Sequence, residues 1–82
     1  MFPYLDHLPM LGERLKSARK KKYPHDNLSQ FALRIDVARS TLQKMEKGDL
    51  SVSIGRYYQA AHRLGLTASF DELFKQDTLF DD

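Results

Sequence analysis

The chain has 82 residues, with 13 Lys+Arg against 11 Asp+Glu, a formal net charge of +2, and no cysteine or tryptophan. This length corresponds to one small domain with little room for a catalytic cleft, so an enzyme is not expected. The absence of cysteine excludes disulfides and thiolate metal sites and fits a reducing compartment, so we expect a cytoplasmic protein. No apolar run approaches the ~18 residues that span a bilayer, and no membrane partner is expected.

The net charge is unevenly distributed along the chain. Residues 1–63 carry 12 basic and 6 acidic side chains, whereas residues 64–82 carry one basic and five acidic side chains. This asymmetry indicates a body that faces a polyanion and an acidic end with another task. We divide the chain into an N-terminal arm (1–9), a helical domain (10–75) and an acidic C-terminal tail (76–82).

A first helix is predicted from Met10 to about Lys22. Its apolar stripe has the spacing i, i+4, i+7 and consists of Leu11, Leu15 and Ala18. The run of three lysines at 20–22 is typical of a solvated helix end, and on a nucleic-acid-binding chain it could equally contact phosphate. Tyr23-Pro24 ends the helix, because the residue before proline disfavours the helical conformation.

The second and third helices are short and closely spaced. Asn27 and Gln30 have the spacing of a capping box at the start of the second helix. The apolar face that follows consists of Leu28, Phe31, Ala32 and Ile35. A three-residue break precedes a third helix with Leu42 and Met45 inward, and Gly48 supplies the stop.

A fourth helix is predicted over 54–64, capped by Ser53 and closed by Gly65. Its predicted inward residues are Ile54, Tyr57, Tyr58, Ala61 and Leu64. A second capping-box spacing, Ser69 to Glu72, predicts a short fifth helix that continues through Leu73 and Phe74. The fold class is therefore all-α with five helices.

Two helices of about eight residues joined by a three-residue connection are typical of a helix-turn-helix. The outward residues of the third helix are polar and basic: Arg39, Ser40, Gln43 and Lys44, with Lys47 at its end. Arginine can bind a guanine edge with two hydrogen bonds, and glutamine can bind an adenine edge in the same way. This face predicts contact with the major groove of DNA.

No other chemistry is indicated by the sequence. The three histidines are scattered without ligand spacing, and the four glycines are isolated, so neither a metal site nor a phosphate-binding glycine loop is predicted. No cofactor and no catalytic residues are expected.

Several segments resemble the lambda-repressor/Cro-type (XRE) helix-turn-helix family. They are Leu-Gly-Glu-Arg-Leu-Lys-Ser-Ala-Arg at 11–19, Ala32, Val-Ala-Arg-Ser-Thr-Leu at 37–42, Met-Glu-Lys-Gly at 45–48, Leu-Gly-Leu at 64–66 and Asp-Glu-Leu-Phe at 71–74. The resemblance covers roughly residues 11–74 and is most specific from 37 to 48. It implies a five-helix, lambda-repressor-like DNA-binding domain that acts as a homodimeric repressor on double-stranded DNA.

The resemblance also implies roles for individual residues. Base contacts are expected from Arg39, Ser40, Gln43 and Lys44. Phosphate contacts are expected from Arg14, Asn27, Ser29, Thr41 and Lys47. A structural ion pair is expected between Arg19 in the first helix and Glu46 at the end of the third.

The sequence departs from the family pattern at three places. The connection between the first two helices is about two residues longer than usual, which places Leu28 where a phosphate-binding glutamine is common. An alternative register aligned on Ser29-Gln30 would shorten the turn by two residues and is rejected on turn geometry. Asp36 stands where glycine is usual and Ala38 where a Ser or Thr cap is usual, so Asp36 either adopts the left-handed conformation or itself caps the third helix.

The ends of the chain carry apolar residues, among them Leu79 and Phe80, which either pack on the domain or form a partner or dimer interface. Small XRE-type proteins of this shape resemble HipB-like antitoxins that neutralise HipA-type kinase toxins. We therefore expect a homodimeric repressor that binds a palindromic operator and regulates its own operon as such an antitoxin. Two alternatives remain: a stand-alone prophage or chromosomal repressor without a toxin partner, and a protein-interaction adaptor on the same fold. A membrane-binding helix over residues 13–22 is disfavoured by the capping and tight-turn pattern that follows it.

Overall fold

The computed structural model describes residues 6–76. It contains five helices: α1 (Pro9–Lys22), α2 (Leu28–Arg34), α3 (Arg39–Met45), α4 (Ile54–Leu64) and α5 (Ala68–Asp71). This confirms the all-α, five-helix prediction. Over residues 6–76 the β-structure is limited to one antiparallel bridge between His7 and Asp49. No helix in this range combines the length and apolarity that a membrane span requires.

The capping box at the start of α2 is confirmed. The Asn27 side chain accepts a hydrogen bond from the Gln30 backbone N–H, and the Gln30 side chain accepts one from the Asn27 N–H, each at 2.8 Å. Two N–H groups that the helix itself cannot pair are thereby satisfied. The longer connection after α1 therefore ends at a well-defined start of the helix-turn-helix.

Asp36 forms the turn between α2 and α3. Its φ is +59°, in the left-handed region, and the Val37 N–H donates back to the Ala32 carbonyl oxygen at 3.0 Å. Of the two possibilities for Asp36, the left-handed one is therefore correct and the capping one is wrong. The N-cap of α3 is Ala38, which provides no side-chain hydrogen bond.

The ends of α3 and α4 follow the same geometry with glycine. Gly48 has φ +75° and Gly65 has φ +74°, as predicted for left-handed helix stops. After α3 the Asp49 N–H returns to the Lys44 carbonyl oxygen at 3.0 Å, which closes the helix with a six-residue ring of the Schellman type.

The core lies between α2, α3 and α4, and α1 packs over it. The buried apolar residues of the core cluster are Phe31, Ala32, Ile35, Leu42, Met45, Tyr57, Ala60 and Leu64. The predicted α1 stripe, Leu11, Leu15 and Ala18, is half-buried against this cluster. The periodicity of the first three helices therefore identified their inward faces correctly.

The inward face predicted for α4 was partly wrong. Ile54 and Tyr58 are 64% and 47% exposed, whereas Ala60, which was not selected, is completely buried. Ile54 is the first residue of α4 and lies at the edge of the core. Tyr58 lies to one side of the buried stripe of this helix, which consists of Tyr57, Ala60, Ala61 and Leu64. The Tyr58 ring instead meets Phe70 edge-on, with the ring centroids 5.2 Å apart.

The prediction for the fifth helix was wrong in its bounds. Helix α5 follows Thr67 and includes Ser69, so Ser69 does not cap it. The turn starts early because the Ser69 N–H already donates to the Leu66 carbonyl oxygen at 3.1 Å. Leu73 and Phe74 lie beyond the helix and are exposed.

A buried ion pair joins α1 to the end of α3. Arg19 Nε lies 2.5 Å from Glu46 Oε2, and Arg19 Nη2 donates to Glu46 Oε1 at 3.2 Å. The two side chains are only 7% and 9% exposed. These are the residues paired on the family resemblance, and each satisfies the other's charge in a site that excludes water.

We expect Glu46→Gln to lower the free energy of unfolding by about 3 kcal/mol, because it leaves the Arg19 charge buried without a counter-charge. The double change Arg19→Met with Glu46→Leu should recover most of that loss, since a hydrophobic pair pays no desolvation cost. Urea unfolding curves for the three proteins measure both effects. A loss under ~1 kcal/mol for Glu46→Gln would contradict the constraint that we assign to the pair.

The two left-handed glycines differ in their surroundings. A Cβ on Gly48 would overlap the Leu8 carbonyl group, whereas the nearest atom to a Cβ on Gly65 is the flexible end of Lys22 at 4.0 Å. Gly65→Ala should therefore cost only the left-handed backbone penalty, ~1 kcal/mol. Gly48→Ala should cost at least ~1 kcal/mol more, because a backbone segment must move. Equal decreases in thermal stability for the two variants would contradict this, because they would show that the Leu8 backbone moves aside at no cost.

Candidate nucleic-acid interface

One face of α3 is exposed and polar along its whole length. The opposite face carries Leu42 and Met45, both completely buried. The exposed residues of α3 are Arg39, Ser40, Gln43 and Lys44. Their spacing of one, three and four residues keeps them on one side of the helix. The four residues predicted to contact bases therefore lie together and are free of the core.

Four of the five predicted phosphate contacts lie on α3, in the turn after it or at the start of α2. Lys47 is exposed in the turn after α3, and Thr41 is half-buried on the helix itself. Asn27 and Ser29 are exposed at the start of α2, which packs against α3. The Asn27 carboxamide oxygen is occupied by the capping hydrogen bond, so its amide N–H groups are the donors that remain for a phosphate.

Three other predicted positions are not placed with this group. Arg14 is exposed on α1 and lines an open groove with Lys21 and Leu66, and no α3 residue lines that groove. Leu79 and Phe80, predicted at a partner or dimer interface, lie outside the described residues.

The N-terminal segment holds the loop that follows α3. The Leu8 N–H donates to the Gly48 carbonyl oxygen, and the Leu50 N–H donates to the Asp6 carbonyl oxygen, both at 2.8 Å. The sequence alone gave no sign of this pairing, because backbone groups carry it and the partners are about 40 residues apart. It fixes the orientation of the loop that presents Lys47.

Tyr57 holds the same loop from α4. Its hydroxyl donates to the Asp49 carbonyl oxygen at 2.6 Å. Burial, together with the nearby Asp49 charge, raises the pKa of Tyr57, so the phenol stays protonated as a donor. The residue was assigned to the core from its periodicity, and no spacing rule reveals a side chain that reaches a backbone carbonyl.

Helix α1 approaches the loop closely at Gly12. A Cβ at this position would overlap the Glu46 carbonyl oxygen and the Gly48 amide nitrogen. A glycine inside a helical pattern signals such a close approach. The end of α3 is therefore held by α1, by α4 and by the N-terminal segment.

The loop also contains one acidic group whose charge is balanced locally. The Ser51 side chain is the largest cause that lowers the pKa of Asp49, and the Ser51 N–H, which donates to the Asp49 carboxylate at 2.8 Å, is the second. Electrostatic interaction with the nearby His7 and Lys44 lowers the pKa of Asp49 further. The carboxylate therefore stays ionised beside Lys44 and offsets part of the positive charge at the end of α3.

No group of three or more His, Asp or Glu side chains is gathered as metal ligands between residues 6 and 76. The arrangement presents hydrogen-bond donors, acceptors and positive charge on a short helix that can enter the major groove.

Comparison with protein families agrees with this geometry. A model of the helix-turn-helix family HTH_3, which is of the XRE type, matches residues 15–70. Neither the curated proteins nor the solved structures contain a match to the chain. The matched region covers more than half of the sequence and includes all of α2, α3 and α4. The chain therefore belongs to the HTH_3 helix-turn-helix family, a non-catalytic family of DNA-binding transcription regulators.

Proposed function

We propose that the protein is a sequence-specific transcriptional repressor that binds a palindromic operator as a homodimer. The observation that carries this proposal is the exposed polar face of α3, opposite the completely buried Leu42 and Met45. A rigid core on one side and long donor and acceptor side chains on the other are what a recognition helix requires.

The face supports a division between base and phosphate contacts. Arg39 can donate two hydrogen bonds to a guanine edge, and Gln43 can donate and accept at an adenine edge. Ser40 and Lys44 each follow one of these residues directly and widen the same face. We assign contacts with the DNA backbone to Lys47 and Thr41, and to Asn27 and Ser29 at the start of α2. Such contacts set the register of the helix without reading sequence.

A homodimer would present two α3 helices to one side of the DNA. Half-sites separated by about one helical turn, ~34 Å, would then be read by the two copies. A repressor whose operator overlaps its own promoter regulates its own synthesis. We propose that the protein regulates transcription in this way in the cytoplasm.

We also propose an antitoxin role, in which the protein neutralises a HipA-type kinase toxin encoded beside it. The resemblance to HipB-like antitoxins supports this role, as does the acidic composition of residues 76–82. A stand-alone repressor would use the same α3 face without the toxin, and an adaptor on the same fold would bind proteins instead of DNA.

The DNA-binding proposal is tested by changing one base-facing and one phosphate-facing residue. Arg39→Ala should weaken operator binding by about 1–3 kcal/mol and relax specificity at one operator position. Lys47→Ala should weaken binding to all sequences about equally and reduce the salt dependence. Gel shifts with the DNA upstream of the gene, at two salt concentrations, measure both effects. Lys16→Ala, at an exposed α1 position outside the predicted set, serves as the control.

Unchanged binding in both variants, with α-helical circular dichroism intact, would show that α3 is not the recognition helix. No binding by the wild-type protein even at low salt would favour the adaptor.

The antitoxin role is tested separately by removing residues 76–82. Neutralisation of the neighbouring kinase should be lost while operator binding is retained, because the α3 face is untouched. Full neutralisation by the shortened protein would contradict a role for the tail. Absence of a kinase gene beside this one would favour the stand-alone repressor.

A further inference from the structure

An open groove lies where α1 and α2 end beside the second half of α4. Its volume is about 590 Å³. It is lined by aromatic and basic side chains, chiefly Lys22, Tyr23, Arg34, Tyr58 and Arg63. None of its lining residues belongs to α3 or to the loop after it. The groove is therefore distinct from the candidate DNA interface.

Part of the positive charge in this groove is already balanced. Arg34 binds the Asp26 carboxylate through Nε at 2.5 Å and Nη2 at 3.2 Å, and its guanidinium lies 4.3 Å from the centre of the Tyr23 ring. This hydrogen-bonded pair lowers the pKa of Asp26, so the carboxylate stays ionised. The charge of Arg34, which lines the groove, is therefore neutralised by Asp26.

Two positive charges in the groove remain without an acidic partner among residues 6–76. Lys22 Nζ donates to the Arg63 carbonyl oxygen at 3.0 Å, which brings the ends of α1 and α4 together. No salt bridge within the described residues involves Lys22 or the Arg63 guanidinium. The groove thus offers aromatic surface beside uncompensated positive charge.

A projection of opposite character stands next to the groove. The Phe74 side chain is 97% exposed, and its φ of +65° is unusual for a bulky residue. Asp71 precedes it and is also exposed. Phe70 meets Tyr58 edge-on, with the ring centroids 5.2 Å apart, and Tyr58 lines the groove, so the segment that carries Asp71 and Phe74 begins beside the groove.

We propose that the groove and this projection together form the homodimer interface. Each copy places Phe74 in the groove of the other and Asp71 against Arg63 there. The inference rests on the homodimer proposed above and names its surface.

A second copy is the occupant that fits these features. A two-fold interface uses the same patch on both subunits, so the patch must be complementary to itself. Here the basic groove and the acidic, aromatic projection are neighbours on one surface, as that symmetry requires. An aromatic side chain in a partner's pocket is also the usual centre of an interface. Because α3 contributes nothing to the patch, both recognition faces would remain free.

A charge exchange between two copies tests the proposal. Arg63→Asp and Asp71→Arg should each raise the dimer dissociation constant about tenfold or more, because like charges then face each other in both halves of the interface. An equimolar mixture of the two variants should form a heterodimer nearly as tight as the wild-type dimer. In that heterodimer one half keeps the original pair and the other contains the reversed pair. Sedimentation equilibrium without DNA measures all four samples.

The aromatic contact is tested by Phe74→Ser, which should also weaken the dimer about tenfold or more. The matched control is Leu33→Ser, which changes an apolar side chain that is 82% exposed on α2 and does not line the groove. Both side chains are largely solvated in one copy, so thermal unfolding of a dilute sample should hardly change.

A wild-type protein that stays monomeric would overturn the proposal. A dimer whose affinity is unchanged by Phe74→Ser would also overturn it, and so would a mixture of the two charge variants that does not recover the wild-type affinity. A dimer insensitive to all these changes uses another surface, and in that case the proposed repressor function still stands. Failure of the wild-type protein to bind its operator would be a separate result, which bears on the assignment of α3 as the recognition helix and not on the dimer surface.

Discussion

The buried pair of Arg19 and Glu46 is the constraint on which the rest of the molecule depends. It fixes α1 against the last turn of α3, at the point where Gly12 allows the two backbones to meet. A short helix of seven residues has little stability of its own, because few of its hydrogen bonds repay the cost of nucleation. α3 can therefore present its polar face in one orientation only because its end is held from outside. The charged pair also penalises other packings of α1, since each would leave a charge unpaired in the interior.

Much of this arrangement could be predicted from the sequence, because local signals agreed with one another. The capping box at Asn27 and the glycine stops at 48 and 65 set the helix bounds, and the apolar spacing placed Phe31, Leu42 and Met45 in the core. The exposed face of α3 was then predicted as the side of the helix opposite these buried residues. Periodicity failed where a stripe is broad or short. It placed Ile54 and Tyr58 inward, although both are exposed. A different signal, the capping-box spacing from Ser69 to Glu72, placed the start of the fifth helix too late.

Apart from the Arg19–Glu46 pair, which the family resemblance implied, the sequence could not indicate contacts that join distant segments. The pairing of Leu8 with Gly48 uses backbone atoms only, and the bond from Tyr57 to the Asp49 carbonyl leaves no trace in spacing. The groove beside Tyr58 is assembled from three helices whose lining residues are up to 41 positions apart. In the same way, the sequence did not indicate that Phe70, which precedes the acidic Asp71, packs against Tyr58 in the basic groove.

The loop after α3 has a consequence for how the protein would meet DNA. Surface loops normally open by local fluctuations that leave the rest of a domain intact. Here the N-terminal segment, the Tyr57 hydroxyl and the close approach of α1 each hold the loop, so opening it requires that several elements separate together. Its amide hydrogens should accordingly exchange with solvent almost as slowly as those of the core. The backbone beside Lys47 is then ordered before any encounter, and association spends little conformational entropy on arranging it.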